Sequence, residues 1–134
     1  MVNRGRVDTR TTDWVAAGEI RPDYAVDTGD PDTGVFLKLL RRPDDGGGCW
    51  HWLIRFAPPA GRAIRLTAVA ESDEEIFFLS DQSGEDRAGV YSCNPAGLRH
   101  GITVTAETVA LVHYHGEPDR ILRAEVVELQ QAAT

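Results

Sequence analysis

The chain has 134 residues, with 14 Lys and Arg against 21 Asp and Glu and a formal net charge of −7. That length allows one domain with a real core, and 42% hydrophobic with 26% charged residues excludes wholesale disorder. The acidic excess excludes a broad basic face for a nucleic-acid backbone, and no apolar run approaches the ~18 residues of a membrane span.

The first 14 residues, MVNRGRVDTRTTDW, contain no apolar stretch of the kind a secretory signal needs. The expectation is a cytoplasmic protein without nucleic-acid or membrane partners. Residues 1–33 are rich in Asp, Thr, Arg and Pro and predict a partly irregular arm with one strand around Tyr24 to Val26. Asp13 to Glu19 is the best helix candidate, short and interrupted by Gly18. From residue 34 the apolar spacing has a period of two. Val35 to Leu40 reads as a strand closed by the turn Arg41 to Gly48. Cys49 to Phe56 follows, with Trp50, Trp52, Ile54 and Phe56 on one face and His51, Leu53 and Arg55 on the other. Further strands are predicted over Ala63 to Ala70, Glu74 to Leu79, Val90 to Cys93, Ile102 to Thr105, Thr108 to His115 and Ile121 to Leu129. Together they give an all-β domain over 34–130 of about nine short strands, a sandwich or small barrel, with a tail at 131–134. Cys49 and Cys93 sit in no metal-ligand or CxxC spacing and are expected as free thiols behaving as small buried hydrophobes. Gly46 to Gly48 lacks the Lys and Ser/Thr of a phosphate-binding loop and reads as a turn.

One stretch carries a motif. Gly89-x5-Pro95-x-Gly97-x2-His100-x3-Val104 resembles the second motif of the cupins, G-x5-P-x-G-x2-H-x3-N, with Val104 in place of the final Asn. Upstream, Gly61-x5-Thr67-x-Val69-x4-Glu74-x6-Asp81 resembles the first motif, G-x5-H-x-H-x(3,4)-E-x6-G. Gly61 and Glu74 are kept there, while Thr67 and Val69 stand where that family has histidines and Asp81 where it has Gly. The likeness covers roughly Gly34 to Gly116 and implies a small single-domain bacterial cupin with a degenerate first motif. It implies a jelly-roll β-barrel of two antiparallel sheets with a cavity at one end. The family includes dioxygenases, isomerases, polyketide-type cyclases, lyases and sugar-binding regulatory domains, so the fold alone does not choose a function.

By position, only Glu74 and His100 of the family's four metal ligands survive. Two protein ligands are too few for a transition metal, so no metal and no cofactor is expected. If Glu74 and His100 point inward, strand parity turns Ile76, Phe78, Ile102 and Val104 inward with them, and the motif register adds Arg65, Thr67 and Val69. The result is an apolar pocket with a carboxylate, an imidazole and a guanidinium, suited to a small-molecule ligand. His51 either lines that cavity or is a satisfied structural histidine. His113 and His115 share one face and either rebuild a displaced metal site with His100 and Glu74 or sit at the strand's rim. The leading expectation is a metal-independent enzyme for isomerisation, elimination or cyclisation of a largely apolar, polyketide-like substrate. Glu74 and His100 would be base and acid, with Arg65 holding a developing oxyanion. The alternatives are a metal-dependent dioxygenase and a non-catalytic ligand-sensing or binding module. Open strand edges lead to the expectation of a homodimer.

Overall fold

The computed structural model describes residues 6–45 and 47–129. The predicted tail at 131–134 and the first five residues of the arm lie outside them. In chain order the elements are β1 (Val15–Ala16), α1 (Ala17–Ile20), β2 (Gly34–Arg41), β3 (Trp50–Ala57), β4 (Arg62–Val69), β5 (Glu74–Asp81), β6 (Tyr91–Asn94), β7 (Arg99–Val104), β8 (Thr108–Tyr114) and β9 (Arg120–Glu128). They form two antiparallel sheets, one of six strands in the order β1-β2-β3-β8-β5-β6 and one of three in the order β7-β4-β9.

The period-two pattern explains which face each strand buries. Trp52, Ile54 and Phe56 on β3 meet Ala110, Val112 and Tyr114 on β8 in one core with Ile64, Leu66 and Val104 of the smaller sheet. Trp52 is fully buried and receives Tyr24 and Tyr114 edge-on, with ring centroids 5.7 and 5.1 Å away. Such edge-to-face pairs add roughly 0.5–1.5 kcal/mol each beyond the area they bury.

The N-terminal segment differs from the expectation. Tyr24 to Val26 is not a strand: Pro22–Tyr24 forms a 3-10 turn, started by the fixed φ of Pro22. The helix is confined to α1, whose Ala17 is fully buried. The segment is packed into the core through Ala17 and Tyr24, so its boundary at residue 33 marks a change of composition and not a loss of packing. Cys49 is buried, but Cys93 is exposed on β6, because that strand presents alternate residues outward and the odd ones fall on the open face.

A candidate acid–base site at one end of the cavity

Between the sheets lies a cavity of about 440 Å³. Its wall is largely apolar, with Phe56, Leu66, Ile76, Phe78, Ile102 and Val112 among the lining side chains. Three loops close one end. Gly97, at φ 91° where a side chain would be strained, turns the chain after Pro95 so that its N–H donates to the Ala70 carbonyl at 2.7 Å. Asp73 Oδ1 accepts from the Ala96 N–H at 2.9 Å, and Ser72 Oγ donates to the Glu117 carbonyl at 2.8 Å. These bonds fix the starts of β5, β7 and β9 relative to one another.

Three titratable groups meet where those strands begin. Glu74 is 2% exposed, and its Oε1 accepts from Asn94 Nδ2 at 2.7 Å. His100 Nε2 lies 2.8 Å from Asp119 Oδ2 and 3.7 Å from Glu74 Oε1. No acceptor lies in line with that N–H, so the 2.8 Å approach is an ion-pair contact, and Nε2 and Asp119 Oδ1 are both buried without a hydrogen-bond partner among the described residues. Tyr24 Oη donates to the Asp119 carbonyl at 3.1 Å and lies 3.3 Å from Tyr114 Oη. Burial, with the Asp119 charge adding to it, pushes the Glu74 carboxyl up to about 7. The Asp119 carboxylate beside His100 holds that imidazole above its ordinary pKa, and burial opposes it more weakly.

Of the residues singled out from sequence, Glu74, His100, Ile76, Phe78 and Ile102 lie on the cavity wall. Val104 faces the same way but is sealed in the core beyond it. Arg65, Thr67 and Val69 do not line the cavity. On β4 the inward phase is Ile64, Leu66 and Ala68, and Ala68 pairs directly with His100. Counting the motif from Gly61 put the register one residue out. Arg65 instead reaches Glu125 across the outer face at 3.7 Å. His51 and His113 are also outside. Their neighbours Trp52 and Val112 point inward, so the two histidines face out and meet edge-on with ring centroids 3.8 Å apart. They and His115 cannot complete a site with Glu74 and His100, from which the sheet separates them.

Asp119, Asn94, Tyr24, Tyr114 and Arg87 were not anticipated. Asp119 is hidden by a bulge: Thr67 pairs with Arg123 but Ala68 with Ile121, leaving Leu122 as the extra residue. Ile121 and Ala124 therefore both pack inward although three residues apart, and Asp119 follows the phase of Ile121. Arg87 supplies the cavity's guanidinium in place of Arg65. It lies toward the Phe78 end, where its Nη2 donates to the Thr103 carbonyl at 3.0 Å.

No protein-family model and no curated protein matches the chain. Solved structures do. The RmlC-like cupin from Ralstonia eutropha JMP134 superposes with a TM-score of 0.58 at 15% identity, over 98% of this chain and 83% of that one. The polyketide cyclase RemF from Streptomyces resistomycificus gives 0.58 at 18% identity, over 96% and 86%. The acetylacetone dioxygenase from Acinetobacter johnsonii gives 0.53 at 14% identity, over 96% and 86%. The chain has a cupin-like fold.

Cupins commonly hold a metal, and the donor set here bears on that. Glu74, His100 and Asp119 each offer a ligand atom within 4.8 Å of the other two. A cation would take a lone pair of Asp119 Oδ1, which has no hydrogen-bond partner among the described residues, and of His100 Nε2 once that nitrogen gives up its proton. The expectation of a metal-free site counted two ligands; Asp119 raises the count to three, so the residues fit a divalent ion.

Proposed function

We propose that this chain is a small-molecule enzyme of the cupin fold that moves protons on a largely apolar substrate, catalysing an isomerisation, elimination or cyclisation. The observation carrying the reading is the placement of a buried carboxyl, an imidazole and a second carboxylate at one end of an apolar cavity. Burial brings the Glu74 carboxyl up to about 7, where it can both take and give a proton, and the Asp119 carboxylate favours the protonated form of His100. In its unprotonated form Glu74 takes a proton from a carbon acid next to a carbonyl. His100 gives its Nε2 proton to the oxygen that gains charge. Glu74 then delivers its proton to a different atom of the substrate, and His100 Nε2 takes a proton back from the oxygen, which restores the enzyme. Tyr24, by holding the Asp119 carbonyl, is a positioning residue. Likeness in fold to a polyketide cyclase supports polyketide-like aromatic ketones as the first substrates to try.

The test is turnover of such a panel, followed by mass spectrometry for rearrangement or loss of water. Glu74→Gln and His100→Ala are expected to lower turnover by roughly 10²–10⁴-fold while the fold survives. Full activity per folded molecule in both variants would assign the cavity to binding alone.

The unpartnered atoms favour a second reading, a metal-dependent enzyme. Glu74, His100 and Asp119 would then hold the ion, which would supply Lewis-acid or redox chemistry. One equivalent of Fe, Mn, Ni or Zn surviving dialysis and lost in His100→Ala would favour it. Its absence from active protein would favour proton transfer without metal.

A further inference from the structure

The chain has four histidines, and three of them crowd onto one spot that the cavity chemistry does not use. His51 on β3, His113 on β8 and Glu75 on β5 are cross-strand partners in a single row across the outer face of the larger sheet. His115, one residue past β8, shares the face of His113, and its ring centroid lies 4.4 Å away. The His51 and His113 rings stand nearly perpendicular, 3.8 Å apart. Glu75 Oε2 is 2.6 Å from His115 Nε2, while its Oε1 accepts from Tyr91 Oη at 2.7 Å. Ligand atoms of Glu75, His113 and His115 all lie within 4.8 Å of one another.

We propose that this cluster is a metal site separate from the cavity, on the outer face of the sheet, for a divalent transition ion of the zinc class. Glu75, His113 and His115 supply three ligands, and His51 stands next in the row as the fourth. Imidazole nitrogens with one carboxylate suit Zn, Ni or Cu; Mg and Ca prefer oxygen alone. Glu75 is already oriented by the Tyr91 hydroxyl, the arrangement that outer partners give a metal ligand. The row spans three neighbouring strands, so an ion bound there ties β3, β8 and β5 together.

The site is independent of the cavity, since Glu74 and Tyr114 point inward from the same strands whose Glu75 and His113 point out. The test is calorimetric titration of chelator-treated, desalted protein with zinc chloride. Cobalt chloride serves as a second probe, read by its visible bands. Wild type and His100→Ala are expected to share one binding event that weakens at least tenfold in His113→Ala and in His115→Ala. The His115 side chain is 52% exposed, so His115→Ala carries the test if His113→Ala folds poorly. Absence of zinc binding by wild type would overturn the proposal, as would unchanged affinity in folded outer-face variants. So would binding lost only in His100→Ala, which places the ion in the cavity instead.

Discussion

Replacing Glu74 by Gln isolates the cost of a buried charge. Glu74 is 2% exposed, and its carboxyl is pushed from an ordinary 4.5 up to about 7, first by burial and then by the Asp119 charge. Between those values the folded chain holds a proton that the unfolded chain has released. Folded stability is therefore fully present below about pH 4.5 and falls as pH rises, until the loss is complete above about pH 7. At ~1.4 kcal/mol per pH unit for one proton, the loss is about 3 kcal/mol. His100, also raised, adds in the same direction: its contribution is present below its ordinary 6.5 and fades as pH climbs through its folded value. Gln keeps an oxygen to accept from Asn94 and carries no charge at any pH. Urea unfolding followed by tryptophan fluorescence at about pH 5 and about pH 8 reads both proteins. Wild type is expected to lose about 2.5 kcal/mol more than Glu74→Gln across that interval, since pH 5 already lies above the unfolded value, and the variant to be the more stable at the alkaline end. Equal pH dependence in the two proteins would show that Glu74 ionises as an ordinary surface acid, and the argument for a proton-holding carboxyl would collapse.

Other outcomes follow from the same geometry. Gly101→Ala places a Cβ 2.7 Å from the Leu66 carbonyl, backbone against backbone, so β7 must shift from β4; a loss of roughly 1–3 kcal/mol is expected by chemical unfolding. Tyr24→Phe removes the bond to the Asp119 carbonyl and should cost about 1 kcal/mol; it should also lower kcat more than it raises KM, whereas a purely structural role would leave activity per folded molecule unchanged. We also propose a homodimer, because Leu79 and Val90 are exposed beside the short edge strand β6. Sedimentation should give twice 14.7 kDa and Leu79→Glu should halve it, while a monomer at tens of micromolar would refute the assembly.

The positions of the strands were legible from alternation, while the placing of Glu74 with His100 came from the resemblance to the two cupin motifs, the second anchored by the turn at Pro95 and Gly97. Alternation also contained the correction at β4. Ile64, Leu66 and Ala68 are the apolar phase and Arg65 and Thr67 the polar one, and the motif count from Gly61 overrode that signal. His51 and His113 were assigned the right parity on their strands, but parity does not say which face meets the other sheet. The burial of Trp52 and Val112 decides that. Tyr24 was misjudged because a 3-10 turn leaves no periodicity, and its value lies in a contact with a residue 95 positions away. Asp119 was beyond any local reading. It sits in an ordinary-looking turn, and a regular strand counted back from Ala124 would point it outward.

The bulge at Leu122 sets how the first half of β9 pairs with β4. In the pairing observed, Ile121 fills the cavity wall and Asp119 faces His100. Slid flat by one residue, the same strand would offer Leu122 to the wall and Arg120 to the imidazole. Hydrophobic burial scarcely distinguishes Ile from Leu, so packing alone does not select the register. Polar contacts favour the observed one: Asp23 Oδ2 accepts from the Ile121 N–H at 2.9 Å, Tyr24 holds the Asp119 carbonyl, Arg120 Nε donates to Glu71 Oε1 at 2.9 Å, and Ser72 Oγ donates to the Glu117 carbonyl at 2.8 Å. The charge that faces His100 is thus set in part by a segment outside both main sheets, through two bonds to the backbone of the turn and the start of β9.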